Sequence, residues 1–328
     1  MKNKIKLLIL IVSFFIVVGC NKASDPKRHV VNMLKGVKSY HLDANMTIYN
    51  NDDSYKYLLA VDYKDKDMFR VSMKNKANNH EQVVLRNKEG VFVLTPSLGK
   101  SFKFESEWPY NDSQSYLLQT IIKDITDDKE SMVIEIEGGN IIKSKVNFSN
   151  NPKLTTQNVY LDKDNKIVKV EVLDEQEKPN IIVDIANYEL NKEIDDDLFK
   201  IDNNMTVSKT YEDEIKEISS IVYPLYVPAN TYLTSQDKVK KDGGERVILN
   251  FSGDKNFTII EETASVSDNS IVPVTGSIYE VAGVFGVKDE DSISWTSNGI
   301  EYYVISENLS SEELRNVASS MTVLPVSK

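Results

Sequence analysis

Residues 39–50 read SYHLDANMTIYN, and the period of this stretch decides the fold. Leu42, Ala44, Met46 and Ile48 alternate with His41, Asp43, Asn45 and Thr47, the two-residue repeat of a strand with one face in a core and the other toward water. Just before it, Pro26 stands where a helix can start, and Val30, Val31, Met33, Leu34 and Val37 recur at helical spacing up to Lys38. A helix therefore gives way to a strand at Ser39. After it, residues 55–63, 68–73, 82–86, 91–95 and 101–104 keep the strand style, separated by turn-forming clusters at 51–53, 64–67, 78–79, 88–90 and 96–99. Short strands punctuated this regularly predict an antiparallel meander.

The meander is interrupted once. Asn111, Asp112 and Ser113 offer helix caps, and Tyr116, Leu117, Leu118, Ile121, Ile122 and Ile125 share one broad helical face. Strands resume at 132–136, 141–148, 156–161, 167–173 and 181–190, and Asp195–Asp197 caps a short turn ending in Leu198 and Phe199. Two amphipathic helices beside one sheet must bury their apolar sides against it. Residues 206–222 are charged and loosely helical in spacing, which makes them a linker. Beyond them lie shorter strand patterns at 246–251, 257–262, 277–281, 292–297 and 301–305. A last helix is capped by Ser310 or Ser311, with Glu312 and Glu313 in its first turn.

The start of the chain is an address. Lys2, Lys4 and Lys6 precede an apolar run from Leu7 to Val18 broken only by Ser13, too short for a hydrocarbon core that needs about 20 residues. The run ends in Val17-Val18-Gly19-Cys20, which resembles a bacterial lipobox. The expectation is a signal peptide over 1–19, a diacylglycerol on Cys20, and a tether over 20–25 that holds the body on the outer face of the cytoplasmic membrane. Two acyl chains anchor a protein stably where one does not. Cleavage removes three lysines and takes the net charge from −11 to −14, so the body is not itself drawn to anionic lipid.

Composition excludes several chemistries. One Cys among 328 residues forbids an intrachain disulfide and multi-cysteine zinc or iron–sulfur sites, and the acidic balance disfavours nucleic acid. There is no Gly-x-Ser-x-Gly, and His29, His41 and His80 are scattered on positions that read as solvated. Asp162 and Asp164 begin like a calcium loop, but Ile167 and Leu173 occupy its glycine and closing-acid positions. Gly138-Gly139 and Gly243-Gly244 precede strands and read as turns. No enzyme, cofactor or metal is expected. Trp108 and Tyr110 read either as core or as a partner surface, as does Trp295.

Several strings in order resemble the LolA/LolB/RseB superfamily of lipoprotein-handling proteins, and within it the anchored sporulation and germination lipoproteins of spore-forming Gram-positive bacteria. They are VVLRNKEGVFVLTP at 83–96, WPYNDSQSYLL at 108–118, VYLD at 159–162 leading to VKVEVLD at 168–174, NYELN at 187–191, and DLF at 197–199. The resemblance covers residues 27–205. It implies a mainly β, α+β protein: a curved antiparallel half-barrel over 26–205 covered by helices, then a smaller α+β domain over 223–328. It also implies a concave cavity lined by Met46, Leu59, Val71 and Val93, with Leu117 and Ile121 on the covering helix. A dry core closed by the same six residues fits the pattern equally. The soluble carrier's lid arginine has no counterpart at Asp62–Asp67, and Arg70 stands in a different setting. Together with a fixed anchor, this points to a stationary protein that docks an envelope partner. An acyl-chain or lipoprotein acceptor and an RseB-like stress sensor are the alternatives.

Overall fold

The computed structural model describes residues 25–321, apart from 51–52, 66, 150, 206–216, 242, 266–269 and 282. The signal peptide, Cys20, the tether up to residue 24 and most of the linker lie outside the described residues. Among those described, no helix is long and apolar enough to cross a membrane.

Helix α1 (Pro26–Met33) is capped by the Asp25 side chain, which accepts the Lys27 N–H, and has Pro26 at its first position, where a missing N–H costs nothing. Eleven antiparallel strands follow: β1 (Ser39–Asn50), β2 (Asp53–Lys64), β3 (Met68–Asn75), β4 (Glu81–Asn87), β5 (Gly90–Thr95), β6 (Lys100–Phe104), β7 (Met132–Ile136), β8 (Gly139–Lys145), β9 (Leu154–Asp162), β10 (Ile167–Asp174) and β11 (Pro179–Leu190). Strands β1–β6 form one meander and β7–β11 another, joined where β1 pairs with β11. Helix α2 (Leu118–Asp127) bridges β6 and β7. The sheet curves but stays open, giving the mainly β half-barrel that the resemblance implies, built from the meander read in the residues.

On β1 the two-residue period holds: Tyr40, Leu42, Ala44, Met46 and Ile48 all face the core. Their partners continue it, with Leu42 opposite Val61, Ala44 opposite Leu59 and Met46 opposite Tyr57. Strands β4 and β5 differ, because Val83, Val84 and Leu85 are all buried, as are Val91 to Leu94. Their second face is covered by the chain after β11. A 3-10 turn at Asp196–Phe199 and helix α3 (Ile201–Asn204) place Phe199 and Met205 against Met68, Leu85, Phe92 and Leu94. The Asp195 side chain caps that turn by accepting the Asp197 N–H at 3.0 Å.

The loop after β9 is a hairpin turn: Asp162 accepts the N–H groups of Asp164 and Lys166 while Asn165 takes φ 60°. Asp174 repeats the arrangement with Gln176 and Lys178 after β10. The Asp162 side chain is thus occupied by backbone, which gives the calcium-like start a structural explanation.

The remaining strands are β12 (Thr231–Lys241), β13 (Gly244–Gly253), β14 (Phe257–Thr263), β15 (Ser270–Val274), β16 (Ser277–Val281), β17 (Val284–Lys288), β18 (Ser292–Ser297) and β19 (Ile300–Ile305). All but β15 build a seven-stranded antiparallel sheet in the order β12-β13-β14-β19-β18-β17-β16. Strand β15 leaves it and pairs in parallel with β6 at the edge of the first sheet. Helix α4 (Ser311–Ser320) packs Leu314, Val317 and Ala318 onto the second sheet. Ser310 is its cap, in a reciprocal capping box with Glu313.

Candidate functional site

The six residues expected to line a cavity fall on four strands and one helix of the first sheet's concave side. Met46 lies on β1, Leu59 on β2, Val71 on β3 and Val93 on β5; Leu117 immediately precedes α2, and Ile121 lies within it. None is more than 3% exposed, and all belong to one continuous core with Val30 of α1. Two polar pairs lie in this layer: the Tyr40 hydroxyl donates to Gln119 at 2.7 Å, and Gln157 donates to Ser144 at 3.1 Å. Burial pushes the Tyr40 phenol far above its ordinary value.

Trp108 and Tyr110 part company. Trp108 is 4% exposed and packs edge-on against Phe69, while Arg86 donates to its carbonyl oxygen. Tyr110 is 39% exposed. It also leans edge-on against Phe69, lies under the Arg86 guanidinium with 5.6 Å to the ring centroid, and donates its hydroxyl to Asp67 at 2.7 Å. Of the two, Tyr110 is the exposed one. Trp295 is buried in the second sheet, stacked on Tyr302.

Two local readings are corrected. His41 does lie on the outer face of β1 but is half-buried and paired: its ring sits between Asp62, at 2.6 Å from Nδ1, and Asp43, at 3.2 Å from Nε2, and the buried Asp62 also meets Arg70 at 3.4 Å. Asp112 and Ser113 do not cap α2, which starts later, at Leu118, without a side-chain cap. They clasp the 147–149 segment instead. Asp112 accepts the Ser149 N–H at 2.8 Å and its hydroxyl at 3.1 Å, and Ser113 exchanges two 2.8 Å bonds with Asn147.

That clasp forms one wall of a cavity of about 340 Å³ where the first sheet meets the second. Ile48 to Asn50 at the end of β1 form another wall, with the β16–β17 hairpin and α4 opposite. The junction is specific. Gln82 reads the Phe285 backbone with both ends of its amide, donating to the carbonyl at 3.0 Å and accepting the N–H at 2.8 Å. Asn50 donates to the Ser319 carbonyl at 2.8 Å, and Lys100 pairs with Glu301. Between β16 and β17, Gly283 at φ +78° lies so close to the Tyr57 ring that a Cβ would stand 2.4 Å from it.

Three carboxyls line this cavity: Asp112, Glu280 and, on α4, Glu312. Burial, and then the neighbouring Asp112 charge, push Glu280 up to about 7. Burial also raises Asp112, against the hydrogen bonds from Ser149 and Ser113. Glu280 is half-buried on β16. Sequence reasoning passed over Glu280, because it shares its strand face with Ile278, and that face is covered only by the docking of the other sheet.

A family model described as sporulation protein YdcC-like matches residues 2–199. Sporulation protein YdcC of Bacillus subtilis (strain 168) is 32% identical over 327 residues, covering 98% of this chain and 97% of that protein. Among solved structures, MucB in the MucA/MucB complex of Pseudomonas aeruginosa aligns with 91% of this chain and 98% of its own, at 12% identity and a TM-score of 0.33. A LolA superfamily protein of Nitrosomonas europaea aligns with 54% and 98%, at 11% identity and a TM-score of 0.31.

Proposed function

The chain belongs to the YdcC-like family of sporulation proteins, and from that premise we propose that it is a non-enzymatic envelope lipoprotein, anchored through Cys20, that acts by docking a partner protein. The observation that carries this reading is the filled interior of the half-barrel. Met46, Leu59, Val71, Val93, Leu117 and Ile121 pack against one another's neighbours with no solvent exposure to speak of. An acyl chain entering there would have to displace core side chains, and opening a core costs about 2–5 kcal/mol per large side chain lost from its contacts.

The outer surface offers what the interior does not. Leu225 is 75% exposed, flanked by exposed Tyr223 and Tyr226 in the segment before β12, and Tyr232 and Leu233 are exposed on β12 itself. Exposed tyrosines and leucines suit the centre of a protein interface. Tyr110, between β6 and α2, is a second contact point.

The test is recovery of the anchored protein from sporulating and from vegetative membranes, with bound proteins and lipids both analysed. The expected result is a stoichiometric protein partner. Stoichiometric lipid without a protein would replace this reading with the acyl-chain acceptor. Cys20→Ala is expected to release the protein from membranes, and a variant still retained there would remove the anchor from the proposal.

A further inference from the structure

We propose that β7 is a dimerisation edge, pairing antiparallel with β7 of a second copy of this chain about a two-fold axis through Ile134. Strand β7 ends the first sheet, bonded to β8 on one side and to no strand on the other. All five of its residues are exposed, and four are apolar: Met132, Val133, Ile134 and Ile136, at 38–54%. The register with β8 and β9 sets Ile134 in line with Ile141 and Tyr160, on the side of the sheet away from the buried Ile142 and Val159. Met132 and Ile136 share that outer side, since side chains two apart lie on one face. On β1 the outer face is polar, and on β4 and β5 the second apolar face is covered by the chain after β11. On β7 it is apolar, and among the described residues nothing covers it.

An open sheet edge recruits foreign strands unless something blocks it. The other three edges are blocked. Strand β15 carries Pro273, which has no N–H to offer a ladder. Strand β12 carries Lys238, Lys240 and Lys241 and a bulge between Leu233 and Ser235. Strand β16 lies at the junction of the sheets, with Ile278 packed on the first core. Strand β7 has no Pro, no Lys or Arg, and no bulge against β8. Its own sequence supplies the occupant. Laid antiparallel against itself about Ile134, MVIEI sets Ile134 on Ile134, Met132 on Ile136 and Val133 on Glu135. Three apolar side chains from each copy then form one row on the outer face, and no carboxylate stands directly opposite another, which would oppose pairing. Each chain has one unblocked edge, so a two-fold pair uses both and growth stops at two copies.

The contact shares no residue with the partner surface at Leu225 and Tyr110, so either can fail without the other. The test is oxidative cross-linking in membranes together with sedimentation of the full chain in detergent. Ile134→Cys is expected to give a disulfide-linked dimer on oxidation with copper phenanthroline, beyond any that the parent forms through Cys20. Met132→Cys alone is expected to give at least tenfold less, because position 132 meets position 136 of the other copy, and Met132→Cys combined with Ile136→Cys is expected to restore the dimer. In sedimentation the parent is expected to reach the mass of a dimer as its concentration rises, and Ile134→Lys to return it to a monomer. The parent measurement carries no substitution, so it does not depend on how any variant folds. A parent that stays monomeric, a dimer unchanged by Ile134→Lys, equal cross-linking from Ile134→Cys and Met132→Cys, or an Ile134→Cys adduct with a different protein in place of a second copy would each overturn the proposal.

Discussion

Glu261 on β14 is fully buried, and its two carboxyl oxygens are treated differently. One accepts the Val222 N–H at 2.9 Å, while the other meets no donor among the described residues. Burial accordingly pushes this carboxyl up to about 7 from an ordinary 4.5. The folded protein then holds a proton that the unfolded chain releases near 4.5, so stability is full below that pH and falls as pH rises through about 7. The loss from this residue is about 3 kcal/mol, at 1.36 kcal/mol per pH unit of displacement, and Glu280 acts in the same direction. Urea unfolding of the parent between pH 5 and pH 8 is expected to show the decline, and Glu261→Gln to flatten it. A parent that gains stability over that range would contradict the assignment. Glu261 was legible in the sequence: Phe257, Ile259, Glu261 and Thr263 share one phase of the strand, which puts the carboxyl inward with two apolar neighbours. Glu280 was not, since Tyr279 and Val281 take its strand's core phase and leave it on a face that looks solvated.

At the level of elements, the alternation read from Leu42 to Ile48 is the alternation β1 has, because its outer face meets only water and short polar contacts. Strands β4 and β5 are as apolar as their sequence says, yet the reason lies more than a hundred residues away, where the chain after β11 lays Phe199 over Leu85, Phe92 and Leu94. Local pattern reveals that both faces of a strand are apolar, but it does not reveal which segment covers the second one. Asn87 fixes that segment by donating to the Phe199 carbonyl at 2.9 Å, and Arg70 holds Asn204 at 2.6 Å. Phe199→Ala is expected to cost about 3–5 kcal/mol, the range for a large aromatic truncated in a core, and to raise protease cleavage near residue 200. A change under about 1 kcal/mol in urea unfolding would show the cover to be loosely attached. On the second sheet the start of α4 was readable to within one residue, as Ser310 or Ser311; the reciprocal bonds with Glu313 single out Ser310, and Ser310→Ala is expected to cost about 1 kcal/mol by the same measurement.

For the whole molecule, the decisive relation is between the two sheets, and short-range periodicity carries no information about it. Phe285 belongs by sequence to β17 of the second sheet, but its side chain is counted in the core of the first, where Ile278, Val287 and Val274 pack beside it. Its backbone is held from the first sheet by Gln82, and β15 crosses over to pair with β6, so chain continuity, hydrogen bonds and apolar burial all link the two bodies. Interfaces of this kind let two sheets unfold together when the link exceeds the difference between their separate stabilities. The intact protein is therefore expected to melt in one calorimetric transition. Phe285→Ala removes an aromatic that spans the junction and leaves a hole beside an existing cavity, at a cost of about 3–5 kcal/mol. Since most of that energy belongs to the link and not to either sheet alone, the variant is expected to melt in two transitions, with the first sheet's core otherwise intact. A single transition shifted uniformly downward would instead mean that Phe285 supports the first core only, and that β15 and the polar contacts suffice to couple the sheets.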